Sequence, residues 1–129
     1  MVTISPEQEI YNAIYDICAN LGYDVYEERP DDSATYPFVD LGEQFDQKTP
    51  TNKDRLFGNT QVTIHVWHTA RKRGTFTEMI GNIEREVWKL KSTPRFSLRI
   101  NSVNKQFLTD NSTNTTLLHG IVEADIRYQ

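Results

Sequence analysis

The clearest strand of the chain lies at residues 59–68, where apolar and polar positions alternate. One parity is aliphatic and the other is polar or amphipathic, which is typical of a strand buried on one face only. We therefore expect the aliphatic face to pack on helices and the opposite face to meet a neighbour. The aliphatic positions are Val62, Ile64 and Val66, and the opposite positions are Thr63, His65 and Trp67.

The first helix is predicted to begin after Ser5, with Pro6 at its first position and Gln8 completing a capping box. It is predicted to run to Leu21, before Gly22, which is placed to end the helix in a left-handed conformation. Its apolar face repeats at helical spacing and should pack on the sheet. That face comprises Ile10, Ile14, Ile17 and Leu21.

The second helix is predicted to open at a capping box of Thr75 and Glu78, and Pro94 ends the segment. Gly81 weakens this helix, which suggests a close approach to another backbone. Trp88 is predicted to extend the apolar face. The other members of that face are Phe76, Met79, Ile80, Ile83, Val87 and Leu90.

Other segments read as strands and complete the fold. Residues 23–26 predict a short strand, and residues 36–45 an extended one that begins near Pro37 at an edge position. Val39, Leu41 and Phe45 share one parity of this second strand and are expected on one face. Residues 96–108 and 118–128 predict a closing hairpin. The chain is therefore predicted to be one α+β domain over residues 1–129. Its mainly antiparallel sheet has four to five strands with two helices on one face, in the order α-β-β-α-β-β.

A polar segment at residues 46–58 joins two antiparallel strand candidates and contains Pro50. It is long for a hairpin connection, and such loops are usually functional or mobile. We expect this arm to reach a neighbouring subunit. Lys53, Asp54 and Arg55 lie near its end, where solvated charges are the ordinary alternative.

Chain length, hydropathy and charge indicate one domain without a membrane-spanning segment and with unlike charged regions. The 129 residues suit one domain, and no apolar run approaches the roughly 18 residues that cross a bilayer. Residues 1–20 do not resemble a secretory signal, so an intracellular site of synthesis is expected. Residues 1–50 hold eleven acidic side chains against two basic ones, and residues 70–95 hold seven basic against three acidic. This asymmetry suits association of unlike patches in a ring or stack, or two ordinary solvated faces.

No catalytic, cofactor or metal site is predicted from the residue chemistry. Cys18 lies beside the apolar stripe of the first helix, where a buried thiol is inert. His65 and His68 are three residues apart on a strand, so they face opposite sides and cannot chelate one metal. The dispersed glycines form no nucleotide-binding loop.

One basic cluster, at residues 71–73, is also compatible with nucleic-acid binding. The cluster comprises Arg71, Lys72 and Arg73, and it lies shortly after Trp67 in the chain. Basic side chains beside an aromatic ring would suit phosphate contact and base stacking. A small nucleic-acid-binding accessory protein is therefore the alternative reading. The acidic balance of the chain, with pI about 5.3, argues against a dedicated nucleic-acid binder.

The chain resembles the small tail-completion proteins of long-tailed bacteriophages, also called tail terminator or head-to-tail joining proteins. The resemblance rests on Tyr36-Pro37-Phe38-Val39, the polar arm ending at Gly58, the strand Val62-Thr63-Ile64-His65-Val66-Trp67 and the helix after Thr75. These short motifs are spread over nearly the whole chain.

The resemblance implies a non-enzymatic virion protein, made in the host cytoplasm, that forms a ring and joins tail to head. The implied partners are further copies of the chain in a hexamer, the major tail tube protein and the head connector or stopper protein. DNA would pass through the lumen without specific binding, and no membrane would be involved. The residues predicted at subunit or partner interfaces are Lys48, Lys53, Asp54, Arg55, Phe57, Trp67, Arg71, Lys72 and Arg73.

Overall fold

A computed structural model describes residues 4–31, 33–50 and 57–129. In these ranges two helices and five strands form one α+β domain, which confirms the predicted fold class. The order is α-β-β-β-α-β-β, with one more strand between the helices than the predicted order contains. The elements are α1 (Pro6–Asn20), β1 (Val25–Tyr26), β2 (Phe38–Lys48), β3 (Gly58–Thr69), α2 (Arg73–Trp88), β4 (Leu98–Asp110) and β5 (Leu117–Tyr128).

The strands form a single sheet in the order β1-β2-β3-β5-β4. The two-residue strand β1 pairs with β2 in parallel, and every other neighbouring pair is antiparallel. α1 contacts β1, β2 and α2, whereas α2 contacts β3, β5 and β4. Each helix therefore covers one half of the same sheet face.

The core forms between the helices and the aliphatic parity of β3, as the alternation predicted. Val62, Ile64 and Val66 are fully buried in a cluster with residues of both helices and with Tyr128 of β5. A smaller cluster of Phe38, Trp67 and Leu117 lies apart from it. The partition follows from the two-residue side-chain period of a strand.

The N-terminal cap of α1 agrees with the sequence in part. The Ser5 side chain accepts a hydrogen bond from the Gln8 backbone N–H at 3.4 Å, and Gly22 has φ +93° after the helix end. The Gln8 side chain does not complete the capping box, because its Nε2 donates to Asn12 Oδ1 at 2.9 Å.

The start of α2 differs from its prediction. The helix begins at Arg73, and its N-cap residue Lys72 makes no side-chain capping bond. The predicted Thr75 cap is therefore wrong, since Thr75 lies inside the first turn. Trp88, predicted on the apolar face, is 47% exposed, so the buried face ends at Val87.

The arm is shorter than predicted because the two strands extend into it. β2 continues to Lys48 and β3 starts at Gly58, and the Thr49 N–H donates to the Phe57 carbonyl at 2.9 Å. Thr49 and Phe57 are the residues that directly follow and precede these strands. The stretch at residues 51–56 lies outside the described residues.

The closing hairpin is confirmed, with β4 beginning at Leu98 rather than Phe96. The register between β4 and β5 shifts between Ile100 and Ser102. Such a bulge explains why the apolar alternation of this segment becomes uneven after Ile100.

A close approach to the sheet occurs at Gly120 rather than at Gly81. A Cβ built on Gly81 meets no atom within 4 Å, so the predicted close approach there is wrong. A Cβ on Gly120 would overlap the tip of Ile80 and lie 3.2 Å from Phe76 Cζ. α2 therefore sits against β5 at a position without a side chain.

We expect Gly120→Ala to lower the free energy of unfolding by about 1–3 kcal/mol, because the added methyl overpacks the contact with Ile80. Gly81→Ala is the matched control, and it should raise the stability by up to about 1 kcal/mol through helix propensity. Urea unfolding followed by circular dichroism measures both. Equal effects of the two variants would contradict the packing described here.

Candidate interaction surface

The sheet has an open face opposite the helices, and the described part of the chain places neither helix on it. The second parity of β3 points to this face, where Gln61, Thr63 and His65 are half-buried. Phe45 of β2 lies on the same face and is 68% exposed. Polar side chains with one large exposed aromatic make this face a candidate interaction surface.

Phe45 reaches the open face because β2 changes its register. The residue shares a sequence parity with Val39 and Leu41, which are fully buried, and was predicted to lie with them. An irregularity between Asp40 and Glu43 shifts the pairing with β3. A one-residue shift moves every later side chain to the opposite face. The prediction for Phe45 is therefore wrong for a reason that lies in strand pairing.

Trp67 is a structural residue of this face rather than an exposed contact. It is 4% exposed, and its ring lies 3.8 Å from that of His119 in a nearly parallel stack. Its Nε1 donates to Asp40 Oδ2 at 2.8 Å, and the Arg29 guanidinium lies 4.0 Å from the ring centroid. Most of the Trp67 ring is therefore covered within the chain, which leaves little of its surface for a partner or a stacked base.

A chain of hydrogen bonds runs across three strands beside Trp67. His65 Nε2 lies 2.7 Å from Glu43 Oε1, and His65 Nδ1 lies 2.7 Å from His119 Nε2. The carboxylate can only accept, so His65 Nε2 donates to it, while the direction of the bond between His65 Nδ1 and His119 Nε2 depends on the tautomers. The arrangement uses both ring nitrogens of His65 within the protein.

Burial lowers the pKa of His119 to about 4, and the neighbouring His65 acts in the same direction. Burial also raises the pKa of Asp40 above its ordinary value, although the hydrogen bond from Trp67 opposes this effect. Both groups are therefore biased toward their uncharged forms by the same desolvated surroundings.

The three histidines lie on two faces of the sheet. His68 lies on the opposite side of β3 from His65, as predicted, and its Nδ1 accepts from the Thr69 N–H at 2.8 Å. Among the residues that the structure describes, no three histidine, cysteine or acidic side chains are grouped to hold a metal ion. Cys18 is buried, and that burial raises its pKa to about 12.

The predicted interface residues fall at two distant ends of β3. Lys48 pairs with Gly58 at one end, and its Nζ forms ion pairs with Glu7 at 3.0 Å and Asp46 at 2.8 Å. Phe57 lies at the same end, with the Arg127 guanidinium 5.9 Å from its ring. Lys53, Asp54 and Arg55 lie outside the described residues.

The basic residues lie at the other end of the strand. Arg71 and Lys72 are exposed in the turn after β3, and Arg73 is the first residue of α2, with its guanidinium 5.9 Å from the Phe107 ring. At a rise of ~3.3 Å per residue, the two ends of β3 are roughly 35 Å apart. The predicted residues therefore do not form one site.

Charge and exposed apolar side chains identify the two edges of the sheet instead. The acidic segment supplies α1, β1 and β2 at one edge, while most basic side chains of residues 70–95 lie in the segments before and after α2, which lead from β3 and into β4. Phe107 and Leu108 on β4 are 39% and 38% exposed. The sequence showed the charge asymmetry but did not predict which strands form the edges, because local residue patterns do not determine strand order.

Comparison with known proteins gives a fold relationship only. No protein-family model matches the chain, and no curated protein matches it. Its fold resembles a chain in the structure of the virion of a native gene transfer agent particle, with TM-score 0.65 and 14% identity over 97% of this chain and 99% of that one.

A second solved structure, the type 4 fimbrial biogenesis protein PilO from Pseudomonas aeruginosa, aligns with TM-score 0.32 and 11% identity over 96% of this chain and 69% of that one. A score of this size does not indicate a shared fold. In the part of the chain that the structure describes, no helix combines the length and apolarity needed to cross a membrane.

We expect the free energy of unfolding to fall as pH drops from the ordinary histidine value of 6.5 toward about 4, because unfolded His119 binds a proton that the folded state resists. His119→Gln should flatten this dependence. Urea unfolding across this pH range measures it. Burial also lowers the pKa of His68, but by less, so the matched His68→Gln control should flatten the dependence less than His119→Gln does. An unchanged slope in His119→Gln would contradict the assignment.

We expect Trp67→Phe to lower the free energy of unfolding by about 1–3 kcal/mol, because it leaves buried Asp40 without its donor. Trp88→Phe, at an exposed position, should change stability by no more than about 0.5 kcal/mol. Thermal unfolding compares the two variants. Equal stability of Trp67→Phe and the wild type would show that the Asp40 hydrogen bond contributes little.

Proposed function

We propose that this chain is a non-enzymatic structural protein of a virion that forms a ring at the end of a tail tube. The ring terminates the tail and joins it to the head connector. The observation that carries the proposal is the fold shared over nearly its whole length with a chain of a virion particle. The motifs that resemble tail-completion proteins point in the same direction.

The distribution of charge supports association in a ring. Acidic side chains gather in α1, β1 and β2 at one edge of the sheet, whereas the basic ones of residues 70–95 lie mainly in the segments that flank α2. Two unlike surfaces on one chain favour head-to-tail contacts, which close into a ring when the rotation per subunit permits. The proposed ring is a hexamer, as the resemblance implies, with DNA passing through its lumen without specific binding.

The proposed partners are the major tail tube protein and the head connector or stopper protein. The two ends of β3 lie at opposite rims of the sheet, with Thr49 and Phe57 at one rim and the basic turn at Arg71 and Lys72 at the other. A ring that joins two structures needs contacts on both rims. We assign one rim to each partner, with residues 49–57 and the basic turn as the contacting segments.

The experiment replaces residues 50–56 with Asn-Gly in the virus that encodes the chain. A two-residue turn of this type suits the Thr49–Phe57 hydrogen bond of 2.9 Å, so the domain should fold. We expect free heads and free tails to accumulate, with infectious particles reduced at least about tenfold. Electron microscopy and particle titre measure this.

A matched control shortens the turn at residues 111–116 between β4 and β5 to Asn-Gly, and circular dichroism confirms folding of both variants. Normal joining of heads to tails in the first variant would refute the role of residues 49–57. Complete particles in a strain that lacks the chain altogether would refute the proposed function.

A further inference from the structure

We propose that neighbouring subunits join edge to edge, with β4 of one subunit pairing antiparallel to residues 43–48 of β2 in the next. The sheet would then continue from subunit to subunit around the assembly. This inference rests on the proposed function, because it names the contact through which the ring closes. The partner at each edge is a second copy of this chain.

Both edges offer backbone groups that the described residues leave without strand partners. β4 is 13 residues long and pairs only with β5. β2 pairs with β1 only at Val39 and Asp40, so the described strands leave the outer side of residues 43–48 without a neighbour. Alternate residues of an edge strand direct their N–H and C=O groups outward, ready to pair with another chain.

The strand directions make the pairing antiparallel. β2 runs opposite to β3, β3 opposite to β5, and β5 opposite to β4, so β4 and β2 run in opposite directions. A rotation about an axis that follows the strands preserves their direction. β4 of one subunit therefore meets β2 of the next in an antiparallel ladder, the pairing that prevails in the rest of the sheet.

The side chains at the two edges complement each other. Phe45 on β2 and Leu108 on β4 both lie on the open face, since Phe45 pairs with Gln61 while Leu108 pairs with His119 beside Trp67. They are 68% and 38% exposed, and a joined sheet would bring both into one continuous apolar strip. Cross-strand apolar pairs of this kind stabilise a sheet.

The charges at the two edges favour pairing of β4 with β2 over pairing of β4 with a second β4. The β4 edge carries Arg99 and Lys105 against Asp110, with Arg73 beside it on Phe107 and Lys105 paired to Glu84, whereas residues 43–48 of β2 carry Glu43 and Asp46 against Lys48. Pairing β4 with a second β4 would bring basic side chains together, which is unfavourable. The edges therefore favour a head-to-tail contact, which builds a ring, over a twofold dimer.

A cysteine scan tests this contact in the full-length chain. Phe45→Cys is combined in turn with Asn104→Cys, Gln106→Cys and Leu108→Cys, three open-face positions that sample the register. Disulfide formation needs Cβ atoms about 3.5–4.5 Å apart. The native Cys18 does not interfere, because it is buried and its pKa is raised to about 12.

We expect mild oxidation of at least one combination to give a ladder of covalent oligomers that ends at the size of the ring. Each single-cysteine variant should stay monomeric in denaturing electrophoresis. Phe45→Cys with Lys105→Cys is the matched control, because Lys105 lies on the helix side of β4, where its Nζ pairs with Glu84 at 2.7 Å. Circular dichroism confirms that every variant folds.

The ring itself is measured separately, by the mass of the wild-type protein in solution and by electron microscopy of intact virions. A ring without a ladder in any of the three combinations would overturn the edge contact and leave the proposed function standing. Covalent dimers from any of the single-cysteine variants would overturn the edge contact in favour of a twofold contact. Absence of any ring from the virions would refute the proposed function itself.

Discussion

The packing of two helices on one face of the sheet is the constraint on which the rest of the structure depends. The aliphatic parity of β3 is fully buried beneath them, and Gly120 on β5 lets α2 lie directly on the sheet. Because this contact fixes which parity faces inward, it also fixes which parity is left open. The candidate interaction surface is thus a consequence of the core.

The open face has an order of its own, even though the described residues provide no helix to cover it. The hydrogen-bonded series of Glu43, His65 and His119 joins β2, β3 and β5, and Trp67 stacks on its end. Polar groups that hydrogen-bond to one another can remain on a sheet face that no second layer covers. A sheet with one open face and two open edges is a suitable unit for a symmetric assembly.

Much of the fold was predictable because it depends on local periodicity. The alternation around Ile64 predicted β3, the caps at Ser5 and Gly22 predicted the limits of α1, and the spacing from Phe76 to Val87 predicted α2. The candidate site was predicted less well. Trp67 was predicted at an interface but is buried within the chain. The predicted interface residues that the structure describes lie at two ends of a strand rather than together.

The sequence by itself determined the class of fold, the buried faces of the helices and of β3, and the separation of acidic from basic segments, because these follow from residue order alone. Tertiary structure decided where those segments meet. The irregularity after Asp40 turned Phe45 outward, and the strand order placed β2 and β4 toward opposite edges. Register and strand order depend on contacts between residues far apart in the chain, which no local pattern encodes.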